Sequence, residues 1–144
     1  MRILGIDPGD KRIGLALTDP SGTIASPLQV LAFTSRAQAA QEIKKLVIQY
    51  DIKLIVVGAA LDETGGETPA SRKARRLGDE LANLTGISVV YEDEADTTNE
   101  AQQAARSAGY RQKQRQGHLD QLAAAILLQR YLEKEATKKG PDGA

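Results

Sequence analysis

Two short apolar runs near the start of the chain, residues 2–6 (RILGI) and 12–18 (RIGLALT), are separated by only Asp7-Pro8-Gly9-Asp10-Lys11. A link this short joins antiparallel neighbours, because a parallel crossover needs about a dozen residues or more. The chain therefore begins with a hairpin of strands, turned by an Asp-Pro-Gly signal. A second turn, Asp19-Pro20-Ser21-Gly22, leads into a third strand over 23–31. Pro27 lacks an N–H for a ladder, which places that strand at a sheet edge or at a bulge.

The period then changes. Across 35–50, Ala39, Ala40, Ile43, Leu46, Val47 and Tyr50 recur at helical spacing and predict an amphipathic helix. Residues 53–57 (KLIVV) are short, apolar and β-branched, as a strand buried on both faces requires, and Gly58 closes them. After a polar loop over 59–67, Thr68-Pro69 reads as an N-cap with proline in the first helical position, opening a helix to about Leu84. Residues 86–91 (GISVVY) form a further strand. Thr97-Thr98-Asn99-Glu100 has capping-box spacing for a helix to Ala108. The polar, basic segment 107–117 reads as a loop carrying on to His118, and 119–135 as a strong helix with Leu122, Ala123, Ile126, Leu127 and Tyr131 on one face. The order βββαβαβαα, with no internal repeat, predicts an α/β fold: a five-stranded mixed sheet with three antiparallel and then two parallel strands, and helices on both faces. One domain is expected over 1–135, and a charged, glycine-rich flexible tail over 136–144.

Composition narrows the chemistry. The 144 residues contain no cysteine and one histidine, His118. Disulfide scaffolds, thiol nucleophiles, thiolate metal sites and multi-histidine sites are excluded. Nineteen basic and 19 acidic residues cancel, so the chain is not a simple polycation that coats nucleic acid, although local basic patches remain open. No apolar run approaches the roughly 18 residues that a membrane span requires, and none reads as a signal peptide. A cytoplasmic protein with no membrane partner is the expectation.

Hydrolytic chemistry must then rest on carboxylates, hydroxyls, amines or a hard metal ion. In open sheets with parallel crossovers, sites form at the carboxyl ends of strands. Asp7 ends the first strand, the cluster Glu92-Asp93-Glu94-Ala95-Asp96 ends the last, and Asp120 stands at the start of the last helix. Wound as proposed, these positions converge. Asp7 is costly at the end of a central strand unless it is used, whereas the cluster also suits a solvated loop and Asp120 a first-turn acid. Carboxylates gathered without thiol or imidazole select Mg²⁺ or Mn²⁺, and one or two such ions promote displacement at phosphorus. Charge is also segregated: residues 91–100 carry five acids and no base, while 101–118 carry Arg106, Arg111, Lys113 and Arg115 and no acid. An acidic pocket beside a basic segment fits a polyanionic substrate. Arg72, Lys73, Arg75 and Arg76 form a second basic run, for which a solvated face is an equal reading. Aromatic residues are few, and Tyr110 is the tyrosine placed to stack on a base. The glycine-rich hairpin also suits nucleotide phosphates, but no Walker lysine motif is present, and an actin-like ATPase needs a second copy of the domain.

Gly5-Ile6-Asp7-Pro8-Gly9-Asp10-Lys11-Arg12-Ile13-Gly14-Leu15-Ala16, followed by Asp19, resembles the opening of the YqgF/RuvX family. The resemblance continues through Leu54-Ile55-Val56-Val57-Gly58, Gly65-Gly66, Asp93-Glu94 with Thr97-Thr98, and Asp120 with Ala123-Ala124, Leu127-Leu128-Gln129 and Tyr131-Leu132. Members are ribonuclease H-like, described as Holliday-junction-resolvase-like and as nucleases that mature the 5′ end of pre-16S ribosomal RNA. The resemblance implies a metal-dependent endonuclease with Asp7, Glu94 and Asp120 as catalytic and metal-binding acids. Lys11 and Arg12 match its basic pair, and with Arg111, Lys113 and Arg115 they are expected to hold the substrate backbone. Structured RNA is the implied substrate. A resolvase of branched DNA, working as a homodimer rather than a monomer, and a non-catalytic nucleic-acid-binding module are the alternatives. Ala95 and Asp96 stand where the family usually has arginine and leucine, and Ala60 where it usually has proline.

Overall fold

A computed structural model describes residues 1–94 and 112–139, with backbone alone for 112–119 and 139. The elements are β1 (Arg2–Pro8), β2 (Arg12–Thr18), β3 (Ala25–Ala32), α1 (Arg36–Gln49), β4 (Ile52–Ala59), α2 (Pro69–Thr85), β5 (Ser88–Asp93) and α3 (Gln112–Lys139). The helix expected over 97–108 lies outside the described residues.

The five strands form one mixed sheet in the order β3-β2-β1-β4-β5. The hairpin is present, with Asp7 opposite Gly14, and β1 also runs parallel to β4, pairing Ile6 with Val57. The central position of β1 follows from its composition, since Leu4 and Ile6 are fully buried. Both expectations for Pro27 hold. It lies in an edge strand, and the β2–β3 register shifts between Leu15 and Ala16, the residue opposite it.

Alternation along the strands divides the core. Leu4, Ile6, Ile13, Leu15, Ile55 and Val57 face α1 and α2, meeting Ile43, Leu46, Leu77 and Leu81. Ile3, Ala16 and Val56 face α3, meeting Ala124, Ala125 and Leu128. Helices thus cover both faces, as the element order predicts. The caps also match: the Ser35 side chain accepts from Gln38 N–H at 3.1 Å, and Thr68 and Ser71 form a reciprocal capping box ahead of Pro69.

The boundaries differ where ladder pairing or unpatterned helix extends an element. β1 runs on to Pro8, which places Asp7 inside the strand. β4 and β5 lengthen together through Gly58–Glu92 and Ala59–Asp93 pairs. β5 starts at Ser88, because Gly86 caps α2 in the left-handed conformation at φ 73°. The largest correction concerns α3, which begins at Gln112 rather than Leu119. The apolar stripe starts only at Leu119, so the two preceding turns carry no periodic signal. His118 therefore sits within a helix instead of a loop. At the other end α3 continues to Lys139, so residues 136–139 of the expected tail are helical.

Candidate active site

Asp7 alternates with Gly5 and Ile3 along β1 and so faces α3. It is partly buried, and its pKa is pushed from the ordinary 3.8 up to about 9. Burial is the largest cause, followed by a hydrogen bond and charge repulsion from Glu94, and then by the charge of Asp120. The Asp7–Glu94 contact is thus a carboxyl–carboxylate pair that holds together by keeping one proton.

Glu94 follows β5 directly. Its backbone N–H donates to the Ala59 carbonyl at 3.3 Å, which ties the β5 end to the β4 end. Among the described residues, its Oε2 atom is buried without a hydrogen-bonding partner. The space for that side chain exists because residue 58 is glycine. A Cβ at Gly58 would lie 2.8 Å from Glu94 Oε2 and 3.0 Å from Leu127 Cδ2. The strand pattern explains Gly58 as a stop, and its spacing gives no sign of this packing role.

Asp120 stands in the third turn of α3, not the first. Its main chain lies against β2 so closely that a Cβ on Gly14 would be 1.9 Å from the Asp120 carbonyl oxygen. Gly14 is also the cross-strand partner of Asp7, so this contact sets Asp120 beside the acidic pair. The Asp120 carboxylate, however, accepts a hydrogen bond from Arg12 Nε at 2.5 Å. Asp7 and Glu94 therefore come together, and Asp120 lies near them with its charge engaged by Arg12. Among the described residues no three His, Cys, Asp or Glu side chains form a group that holds one ion. The donor chemistry of the pair nonetheless fits a hard divalent cation. It offers oxygens only, one of them buried and unpartnered, and a retained proton that a cation would displace.

Lys11 is exposed in the β1–β2 turn and Arg12 opens β2. Lys113 and Arg115 fall on the first turns of α3, and Arg111, Ala95, Asp96 and Tyr110 lie outside the described residues. Glu92, one of the acidic cluster, has a structural role: only 9% exposed, it accepts from Lys134 of α3 at 2.7 Å. The second basic run is divided. Arg75 pairs with Glu67 at 2.5 Å and lies over the Tyr91 ring, and Lys73 pairs with Asp10 at 3.2 Å.

The family model described as "RuvX: Holliday junction resolvase" matches residues 1–134. A protein of Streptomyces coelicolor named "Putative pre-16S rRNA nuclease" is 38% identical over 143 residues, covering 99% of this chain and 86% of the relative. One of the same name from Thermoanaerobacter pseudethanolicus is 35% identical over 139 residues, covering 96% of this chain and 100% of the relative. Among solved structures, Thermus thermophilus RuvC aligns with a TM-score of 0.60 at 15% identity, covering 95% of this chain and 97% of that one. That likeness shows the fold, which is ribonuclease H-like.

Proposed function

The chain belongs to the RuvX family and is a nuclease, a hydrolase of phosphodiester bonds; from that premise we propose that it is a divalent-metal-dependent endonuclease acting at the 5′ end of pre-16S ribosomal RNA, with Asp7, Glu94 and Asp120 as its catalytic acids. The observation that carries the metal dependence is the Asp7–Glu94 pair with the buried, unpartnered Glu94 Oε2. Two carboxyl groups pressed together at a strand end, one forced to keep a proton, are poorly placed unless a cation joins them. The relatives' shared name supports the RNA substrate.

Asp7 and Glu94 would hold Mg²⁺ or Mn²⁺. When bound, such an ion supplies electrophilic stabilisation of the charge developing on the phosphoryl group. The remaining work falls to the chain's own groups. With a cation held by the pair, Asp7 would be ionised. Lys11 and Arg12, on the hairpin beside the pair, hold substrate phosphates by charge-assisted hydrogen bonds. When Arg12 turns to a phosphate it leaves Asp120, whose carboxylate is then available to the site. Gly58 keeps the Glu94 side chain seated, and Leu127 closes the pocket on the α3 side. The working compartment that follows from an RNA-processing role is the cytoplasm.

The test is cleavage of precursor ribosomal RNA and of a four-way DNA junction with Mn²⁺, for wild type beside Asp7→Asn. Metal-dependent cutting of the RNA that the variant lacks is expected. A variant as active as wild type overturns the mechanism, and cutting confined to the junction by a dimer replaces RNA processing with resolution.

A further inference from the structure

The β1–β2 turn has a second side. On the sheet face covered by α1 and α2, Pro8, Gly9 and Asp10 wall a cleft of about 310 Å³. Phe33 forms part of its lining, with Arg36 from α1 and Lys73 and Arg76 from α2 around it. Phe33 is the single phenylalanine in the chain and stands half-buried just after β3. Its ring rests against the core, and its N–H donates to the Lys11 carbonyl at 2.9 Å, which fastens it to the turn that carries the hairpin cations. Arg76 makes no ion pair among the described residues. Among the described residues, Arg36 and Lys73 are held by exposed pairs, with Glu80 at 3.1 Å and Asp10 at 3.2 Å. Such pairs are weak and yield readily to a phosphate.

An aromatic ring in the lining and cations around it match a nucleobase flanked by its phosphates. A base within a duplex has no free face to offer. We propose that this cleft takes the single-stranded flank of the nucleic-acid substrate, with a base on Phe33 and adjoining phosphates on Arg36, Lys73 and Arg76. The cleft and the acidic site lie on opposite faces of the sheet, since Pro8 and Asp7 are consecutive in β1, and the β1–β2 turn stands between them. Lys11 and Arg12 cross the turn between the two faces and extend the line of positive charge. A strand lying in the cleft is thereby led over the hairpin to the Asp7–Glu94 pair. The second basic run thus gains a function through Lys73 and Arg76, while Arg75 stays with Glu67 and Tyr91. The inference rests on the nuclease reading and adds a positioning subsite to it.

The test uses Phe33→Leu, which keeps apolar packing but removes the π face, and Arg76→Gln, which is exposed. Binding of a fluorescent RNA hairpin with a ten-nucleotide single-stranded tail is measured in EDTA by anisotropy, beside the same hairpin with a blunt end. Cleavage of the tailed RNA is followed with Mn²⁺. Each variant is expected to bind the tailed RNA about 5- to 20-fold more weakly than wild type and the blunt RNA unchanged, with KM raised and kcat within about twofold. Wild-type affinity for the tailed RNA in both variants, or equal losses on both RNAs, overturns the subsite. If wild type binds the tail through Phe33 but cuts no RNA or DNA, the subsite stands and the nuclease mechanism falls. If Asp7→Asn abolishes cutting while both cleft variants match wild type, the reverse holds.

Discussion

Arg12 Nε lies 2.5 Å from Asp120 Oδ2, joining residues 108 positions apart. The contact fastens α3 to the start of β2, and it also occupies the acid that would otherwise face Asp7. On the proposed mechanism, this guanidinium would decide between a closed hairpin and a third carboxylate open to a cation.

Arg12→Ala is therefore expected to affect two ligands in opposite directions. Freed from its partner, Asp120 can join Asp7 and Glu94, so Mn²⁺ should bind the nucleic-acid-free protein more tightly, by about fivefold to tenfold given the partial exposure of the pair. Nucleic acid should bind more weakly by a similar factor. Calorimetric titration with Mn²⁺ reads the first effect. An unchanged Mn²⁺ affinity would remove Asp120 from the ligand set.

Asp7 predicts a pH dependence of stability. Unfolded, its carboxyl ionises near the ordinary 3.8, whereas in the fold burial and Glu94 raise its pKa to about 9. Between those values the folded state keeps a proton that the unfolded state releases. The stabilisation is complete at low pH and is lost progressively as pH rises through that window. Asp7→Asn cannot ionise and removes this slope. In EDTA at pH 8 the variant should be more stable than wild type by about 1–3 kcal/mol, a Tm higher by roughly 2–10 °C, with cleavage reduced at least ~100-fold. Melting curves at pH 4–9 that fall in parallel for both proteins would contradict the proton-sharing pair.

Gly14→Ala should be among the most damaging single-methyl additions in the molecule. The new Cβ would stand 1.9 Å from the Asp120 carbonyl oxygen, so α3 must lift from β2. A loss of about 3 kcal/mol or more is expected, larger than for Gly5→Ala, whose Cβ meets Leu128 Cβ at 2.9 Å. Urea denaturation of both variants orders the two positions, and equal midpoints would argue against close docking at Gly14.

Lys134→Met leaves the buried Glu92 carboxylate without its cation. The lysine is largely exposed, so a cost of about 1–2 kcal/mol is expected, with much of it recovered in the double variant carrying Glu92→Gln. A double-mutant cycle in thermal unfolding gives the coupling, and additive losses would mean that the pair contributes nothing of its own.

The fold was legible because its signals are local. Hairpin spacing, the helical period over 35–50 and the Thr68-Pro69 start each depend on neighbouring residues, and each stands where the pattern places it. The start of α3 was not legible, because residues 112–118 offer no apolar stripe and include Gly117. The same local logic singled out Asp7 as a candidate. It could not select Glu94 from four adjacent acids, since the choice depends on the space that Gly58 leaves across the sheet. The family resemblance supplied that choice, and in the structure Glu94 stands against Asp7. Pattern reading also missed the Phe33 cleft, because its walls come from three separate segments, none unusual alone.

The docking of α3 over Gly5 and Gly14 has a consequence for biosynthesis. The hairpin emerges from the ribosome before α3, with two of the glycines that will receive the helix and with Asp7 already in place. Ala124, Leu128 and Asp120 emerge more than a hundred residues later. Until they arrive, that face of the sheet is bare and the acidic pocket has no roof, so on the proposed mechanism the growing polypeptide would be idle for most of its translation. On the proposed function, such a nuclease would be assembled beside mature ribosomal RNA in an inert form.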